Sequence, residues 1–179
     1  HRKIGARNCQ IVSISKEDRR IFFEKNHIDG DVKSSLHAAL IDSEGSIVAC
    51  MSLRRPLHKK YKNSLEVARF CTALYTSVPG ALGRLTKWAM ERAKEEGYTG
   101  LITYVDTRHG TGKGYRASGW QHTGSTPDRF WWTDGRHRID RFKIRADKAA
   151  GLSESDVAAE HGVVKIWGCP NLVFELKIA

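Results

Sequence analysis

The sequence lacks the features that mark several specialised classes of protein. No apolar run approaches the roughly 18 residues that span a bilayer, and the basic N-terminus has no apolar stretch of the kind found in secretory signals. The four cysteines form no CxxC pair, and the eight histidines show no HxxxH or paired Cys/His spacing. We therefore expect a cytoplasmic protein with reduced cysteines, no membrane partner and no bound metal.

Positive charge is what the sequence has in excess. Its 30 Lys and Arg residues against 20 Asp and Glu residues give a formal net charge of +10 and a pI of about 9.6. Such a bias favours polyanionic partners, either nucleic acid or a phosphate-rich cofactor. A protein that is merely soluble and basic stays open as the alternative.

The length of 179 residues and the apolar content of 40% predict one folded domain over 1–179. We expect the basic C-terminal extension over 136–179 to pack on that domain. The start at His1 rather than Met leaves open that the chain is one domain of a longer polypeptide.

Apolar periodicity predicts a mixed α/β fold, with antiparallel strands first and a parallel βαβ crossover after them. The run 101–105 is apolar throughout, which is typical of a central strand buried on both faces. The predicted strands are 9–14, 36–41, 46–53, 65–74, 101–105, 120–124, 130–133, 163–167 and 172–176. The predicted helices are 16–26, with Ser15 as its cap and Ile21, Phe22 and Phe23 as its buried face, one through Leu85 that closes at Glu96, 115–118 and 154–161.

This order of elements resembles the GCN5-related N-acetyltransferase (GNAT) superfamily. There, the turn after the fourth strand holds the coenzyme A (CoA) pyrophosphate with backbone N–H groups at a helix N-terminus. The resemblance implies acetyl-CoA or another acyl-CoA as cofactor. The residues that it implies for binding are Val78, Gly80, Ala81, Gly83 and Arg84. The family pattern Arg/Gln-x-x-Gly-x-Gly/Ala is incomplete, because Ser77 and Leu82 stand where the Arg or Gln and the small residue belong. An ordinary helix N-terminus is the alternative.

A second block is similar to phage Mom DNA-modification proteins and related phage GNAT-like domains. It contains Tyr104-x-Asp106, a Gly-rich loop, Tyr115-x-Ala-Ser118-x-Trp120 and a closing Thr-Gly at 123–124. The segments 2–9, 26–28 and 66–71 look like the same group. The resemblance implies transfer of an acyl-type group from a CoA thioester to a base amine of DNA, in the host cytoplasm. Two alternatives are a non-catalytic DNA-binding domain of a phage nuclease and an N-acetyltransferase of a small molecule or protein.

The resemblance also implies catalytic roles. Tyr115 would give a proton to the departing thiolate, Asp106 would orient or deprotonate the amine, and His27 would lie in the substrate site. Backbone N–H groups around Cys71 to Ala73 would polarise the thioester carbonyl. The alternatives are a core aromatic for Tyr115, a loop-closing side chain for Asp106 and a helix C-terminal cap for His27.

Basic residues near aromatic ones suit phosphate contact and stacking on unpaired bases. We predict that the nucleic acid or substrate is bound by Arg54, Arg69, Arg108, His109, Ser118, Arg136, Arg138 and Arg141. The aromatic residues nearby are Phe130, Trp131, Trp132 and Phe142. For Glu66 and Arg69, an intrastrand or cross-strand ion pair is the alternative. Because Trp131 and Trp132 are adjacent on a strand, their side chains point to opposite faces, and one of them forming a core is the alternative to stacking.

Overall fold

The computed structural model describes residues 1–178, which form two compact units. The first unit contains residues 1–105 and 110–124 and the end of the chain from Leu172. The second unit contains residues 106–109 and 125–171. Each unit has a hydrophobic core of its own.

The helices and strands follow the predicted order closely. The strands are β1 (Arg2–Lys3), β2 (Gln10–Ser13), β3 (Leu36–Ile41), β4 (Ile47–Arg54), β5 (Ser64–Thr72), β6 (Thr76–Ser77), β7 (Gly100–Asp106), β8 (Gln121–Ser125), β9 (Phe130–Thr133), β10 (Arg138–Ile139), β11 (Val164–Trp167) and β12 (Asn171–Lys177). The α-helices are α1 (Lys16–Asn26), α2 (Ala81–Glu95), α3 (Lys113–Ala117) and α4 (Glu154–Glu160).

A seven-stranded mixed sheet organises the first unit, in the order β2-β3-β4-β5-β7-β12-β8. Strands β2 to β5 are antiparallel neighbours, whereas β5 and β7 pair in parallel on either side of α2 in the chain. This confirms the predicted mixed α/β fold with its βαβ crossover. Strand β12, which lies within the predicted basic extension over 136–179, belongs to this sheet. That the whole extension packs on the domain stays a prediction.

Helix α1 is specified by its ends and its apolar side. The Ser15 hydroxyl accepts the Asp18 N–H at 3.0 Å, which caps the first turn as predicted. Phe22 and Phe23 pack with Cys50 in a small core. Ile21, which we predicted to share that buried face, is 55% exposed, because the position before two consecutive inward residues faces solvent.

Helix α2 packs small side chains against the sheet. Leu85, Ala89 and Ala93 recur at helical spacing and are fully buried, and they belong to one core with Met51 and Leu53 of β4. The helix begins after Gly80, whose φ of +85° is a left-handed conformation that glycine adopts without strain. Since Met51 and Leu53 of β4 face α2, the alternation of side chains along this strand places Cys50 and Ser52 on its opposite face.

The second unit is a three-stranded antiparallel sheet, β10-β9-β11, with α4 beside it. Trp132 is 3% exposed and packs with Ile144, Ala158 and Val163. Its neighbour Trp131 points to the opposite face of β9. Trp132 is therefore the tryptophan that forms a core, which was our alternative to stacking on bases.

Candidate active site in the first unit

The two central parallel strands of the first unit separate along their length. Their pairing runs from Ser64 and Gly100 to Val67 and Thr103, and both strands continue beyond it, β5 to Thr72 and β7 to Asp106. The Thr103 hydroxyl donates to the Val67 carbonyl at 3.0 Å, where the pairing ends. A gap therefore opens in the sheet beyond Thr103, with a hydroxyl at its apex.

A β-bulge lies at the same point of β5. On the β4 side, Ser52 is opposite Arg69 and Leu53 is opposite Val67, so Ala68 is an extra residue without a partner position. A bulge bends its strand and increases the local twist, and the pairing of β5 with β7 ends beside this one. Bulges often occur next to active sites, where they redirect backbone groups.

The part of β5 beyond the bulge presents backbone N–H groups to the gap. The Ala73 N–H donates to the Val48 carbonyl of β4 at 2.9 Å. Because successive residues of a strand direct their N–H groups to opposite sides, Cys71 also faces β4, whereas Phe70 and Thr72 face the gap. The prediction that N–H groups around Cys71 to Ala73 polarise a carbonyl was therefore wrong for Cys71 and Ala73, whose N–H groups face β4, whereas the Thr72 N–H faces the gap.

Tyr115 of α3 reaches the apex of the gap. Its ring stacks on Phe174 at 5.7 Å and meets Trp120 edge-on at 5.3 Å. Its phenol interacts with the Thr103 side chain, which lowers the pKa, but burial has the larger effect and raises the pKa of Tyr115 above its usual value. The phenol therefore stays protonated at neutral pH.

A glycine fixes the start of α3 and so the position of Tyr115. Gly112 has a φ of +72°, and a Cβ at this position would collide with the Phe174 ring. Any side chain here would push α3 off the ring on which Tyr115 stacks.

The turn before α2 is open and carries no acidic group. Gly80 and Gly83 are exposed, and a Cβ at Gly83 would meet nothing within 4 Å. No Asp or Glu lies in the first turn of α2. A helix N-terminus with exposed glycines and no carboxylate suits an anionic group, so these residues fit the pyrophosphate of a CoA thioester. Val78 is buried below the turn.

Comparison with known proteins gives structural relatives only. No family model matches the chain, and no curated protein sequence matches it. A Bacillus subtilis acetyltransferase in complex with CoA aligns at a TM-score of 0.56 and 10% identity, over 96% of this chain and 99% of that one. A GNAT family acetyltransferase from Elizabethkingia anophelis with acetyl-CoA bound aligns at 0.54 and 15%, over 96% and 99%. The Escherichia coli ribosomal-protein-S18-alanine N-acetyltransferase aligns at 0.55 and 10%, over 96% and 94%.

The chain has the GNAT fold. This confirms the predicted fold. The findings leave the resemblance to phage Mom-like proteins as a prediction.

Arg84, which we predicted to bind an acyl-CoA cofactor, has internal partners. Its Nη1 donates to the carbonyls of Ala6 and Cys9, the second at 2.6 Å. The Ala6 N–H in turn donates to the Pro79 carbonyl at 3.0 Å. Arg84 therefore joins the N-terminal segment to the turn, and a role toward a cofactor stays a prediction.

Asp106 closes the loop after β7. Its carboxylate accepts the Arg108 N–H at 2.9 Å and pairs with the Arg108 guanidinium at 2.5 Å. The side-chain hydrogen bond from Arg108 holds the pKa of Asp106 below its usual value, which makes the carboxylate a weak base. Asp106 and Arg108 belong to the second unit and Tyr115 to the first. The predicted joint catalytic role of Asp106 and Tyr115 stays a prediction.

His27 lies at the end of α1. Its Nδ1 accepts the Asp29 N–H at 3.1 Å, and its ring meets Phe23 edge-on at 6.0 Å. Burial, with a contribution from the Arg69 charge, lowers the pKa of His27, so the ring is neutral at neutral pH. These contacts fit the cap alternative, and the substrate-site role stays a prediction.

Two arginines predicted to bind nucleic acid are held inside the first unit. Arg54 pairs with the buried carboxylate of Glu66 at 2.6 Å. Arg69 donates to the Gly30 carbonyl at 3.1 Å and so ties β5 to the loop after α1. The cross-strand ion pair that we considered for Glu66 is therefore confirmed, with Arg54 directly opposite as its partner, whereas Arg69 bonds to a backbone carbonyl.

The remaining predicted binding residues are accessible. Ser118 is half-buried at the end of α3 in the first unit, and the others are exposed or lie on aromatic rings in the second unit. The second-unit residues are Arg108, His109, Arg136, Arg138 and Arg141. Their roles stay predictions.

Two other features are not found among residues 1–178. No group of His, Cys, Asp and Glu side chains in this range is arranged to hold a metal ion. No helix in this range has both the length and the apolar character needed to cross a membrane.

The sequence reading missed three residues of the site: Ala68, Thr103 and Phe174. Thr103 had a signal, since it is a polar residue in the middle of an otherwise apolar strand. Ala68 and Phe174 had none, because a bulge and a ring stack depend on partners from other strands.

Proposed function

We propose that this protein transfers an acyl group from a CoA thioester to a primary amine. The observation that carries the proposal is the Tyr115 phenol at the apex of the gap between β5 and β7, beside Thr103. A protonated phenol and free strand N–H groups around one gap are the two kinds of group that acyl transfer needs.

Acyl-CoA supplies the thioester from which the acyl group leaves. The exposed glycine turn before α2 receives its pyrophosphate, with the first-turn N–H groups as donors. The N–H groups of Phe70 and Thr72 donate to a carbonyl oxygen in the gap. The amine nitrogen attacks the thioester carbon, so that the C–N bond forms as the C–S bond breaks, and Tyr115 Oη gives its proton to the departing sulfur. The proton that the nitrogen loses passes to solvent, from which Tyr115 is protonated again.

For the acceptor, we propose an amine on a nucleic-acid base. The support is charge: the first unit carries 21 Lys and Arg residues against 12 Asp and Glu residues. Its loop after β4 concentrates this charge in Arg55, Lys59, Lys60 and Lys62, all exposed. A polyanionic acceptor would be attracted to such a surface.

Two observations favour a second candidate, a GNAT-fold domain that binds nucleic acid without catalysis. Arg84 is committed to the Ala6 and Cys9 carbonyls, and Ser77 replaces the family's Arg or Gln. Both features reduce the side-chain charge available to a pyrophosphate.

Isothermal titration of acetyl-CoA, with CoA as the comparison ligand, separates the two. We expect binding by the wild type and by Gly83→Asn, because the site of the new side chain is open. In Gly83→Asp, a carboxylate at the helix N-terminus would repel the pyrophosphate and abolish binding. Absence of heat with wild type would exclude the CoA-dependent activity and leave the binding domain.

When acetyl-CoA binds, radiolabelled acetyl transfer to an oligonucleotide, a peptide amine and a small polyamine tests the acceptor. Label on the oligonucleotide supports the proposed acceptor. Label only on the other amines contradicts it while retaining acyl transfer.

A further inference from the structure

Three aromatic rings alternate with three cations along one side of the second unit. We define this aromatic row as Trp167, Lys165, Phe130, Arg141, Phe142 and Arg145. Lys165 Nζ lies 4.3 Å from the Phe130 ring centre and 5.6 Å from that of Trp167. The Arg141 guanidinium lies 5.7 Å from Phe130 and 4.7 Å from Phe142. Arg145 completes the row, 4.5 Å from Phe142.

The sheet register accounts for the first half of this row. Trp167 is directly opposite Phe130, and Lys165 is directly opposite Trp132, so all four side chains lie on one face of the β9–β11 pair. Trp132 is buried on this same face and meets the Phe130 ring edge-on at 5.6 Å, which fixes the position of Phe130. The rings therefore have a fixed base and are not loose side chains on a loop.

The outer rings of the row are open to solvent. Trp167 is 67% exposed and Phe142 is 56% exposed. Exposed aromatic residues of this size mark interaction surfaces when they occur together.

The cations of the row have little competition from acidic groups. Among residues 1–178, neither Lys165 nor Arg141 has a carboxylate within ion-pair distance, and Arg145 has only Glu154 at 3.7 Å. The nearby Asp140 carboxylate accepts the Phe142 N–H at 2.8 Å. The charges of Lys165 and Arg141 are therefore available to an anionic ligand.

We propose that the aromatic row binds single-stranded nucleic acid. Each nucleotide of an unpaired strand offers one π face and one phosphate, which matches an alternation of rings and cations. In a duplex the base faces are already stacked, so a duplex would use only the cations. This proposal concerns the second unit alone and does not depend on acyl transfer.

Fluorescence anisotropy with labelled oligothymidine and oligouridine of about 12 nucleotides tests the proposal, a length within the range that one such module covers. We expect Trp167→Ala to weaken single-strand binding about 10-fold. Its control is Val164→Ala, an exposed position on the opposite face of the same strand, which should bind as the wild type does. Binding of oligouridine alone would identify the ligand as RNA, and binding of oligothymidine alone would identify it as DNA.

Charge is tested by a matched pair of lysine variants. Lys165→Ala should lower the slope of log K against log salt concentration by about 0.7, as expected for one lost phosphate contact on a single strand. Lys148→Ala removes the same charge from an exposed lysine outside the row and should leave the slope nearly unchanged.

Two results would overturn the proposal. One is an equal loss of duplex and single-strand binding in Trp167→Ala, because stacking would then play no part. The other is full competition by polyglutamate at equal charge, which would mean that the row recognises any polyanion. If Trp167→Ala changes the circular dichroism of the protein, the same measurements are made with Phe142→Ala, for which we expect the same results.

Discussion

The two units of this chain use their cations differently. In the first unit, arginines pair with carboxylates that are largely buried: Arg54 with Glu66, Arg19 with Asp31 and Arg2 with Asp42. In the second unit, cations lie over aromatic rings, as Arg138 does over Trp131 at 4.3 Å. The first arrangement neutralises charge and holds elements together, whereas the second leaves the charge exposed.

Net charge does not identify where a ligand binds. The second unit has 9 Lys and Arg residues against 8 Asp and Glu residues, so it contributes almost nothing to the net charge of +10. It nevertheless contains most of the cation–ring contacts in the described residues. Composition predicted a polyanion partner for the whole chain, but only the placement of the cations separates a general electrostatic surface from a stacking surface.

The largest effect that we expect from this difference between the units is on the stability of the first unit. Arg54→Ala leaves the Glu66 carboxylate, 3% exposed, without its ion-pair partner. We expect a loss of about 3 kcal/mol in the free energy of unfolding, because breaking a buried pair strands a charge. Urea denaturation measures it. Arg55→Ala, an exposed neighbour, is the control and should change stability by less than about 0.5 kcal/mol. Equal losses in both variants would contradict the difference between paired and exposed cations.

The next effect concerns catalysis in the first unit. Tyr115→Phe removes the phenol that interacts with Thr103 but keeps the ring stacked on Phe174. We expect kcat for acyl transfer to fall about 100-fold, the usual contribution of a positioned proton donor, with little change in thermal stability. Tyr98→Phe is the control, a partly buried tyrosine of the same core. An unchanged kcat in Tyr115→Phe would remove Tyr115 from the mechanism.

Local signals explain the parts of the fold that could be predicted. Helix α1 has the predicted bounds, because Ser15 and Asn26, the residues that indicate its two ends, act within one turn of the helix. Strand β7 is buried and central as its apolar run indicated. The predicted strand 65–74 is too long, since Asn26 caps the Leu74 N–H at 2.8 Å and Tyr75 adopts a φ of +58°.

The candidate site depends on contacts that no local pattern records. The bulge at Ala68 exists only relative to the register of β4. Arg84 was assigned to a cofactor from its place in a motif, but its carbonyl partners Ala6 and Cys9 lie more than 70 residues away in the chain. A motif identifies the residue types at a site, whereas long-range contacts decide which of those side chains are available to a ligand.

A smaller effect tests one of the ion pairs of the second unit. Asp106 pairs with Arg108, whose hydrogen bond lowers the pKa of the carboxylate. A lowered pKa contributes stability that is present above the unfolded pKa, near 4, and is lost as pH falls through the folded value. Asp106→Asn should therefore be about 1 kcal/mol less stable than wild type at pH 7 and should converge with it in acid. A difference that is the same at pH 7 and pH 2 would exclude this linkage.

The smallest effect is expected where the cation lies over rings rather than beside a carboxylate. Arg141 contacts both Phe130 and Phe142, yet its replacement by Ala leaves no buried charge behind, since the side chain is exposed. Cation–ring contacts at exposed sites contribute about 0.5 kcal/mol, so thermal unfolding should shift by only a degree or two. A loss as large as that of Arg54→Ala would mean that Arg141 holds the second unit together. A small loss of stability, combined with weakened binding to single strands, would show that Arg54 stabilises the fold of the first unit, whereas Arg141 in the second unit binds a ligand.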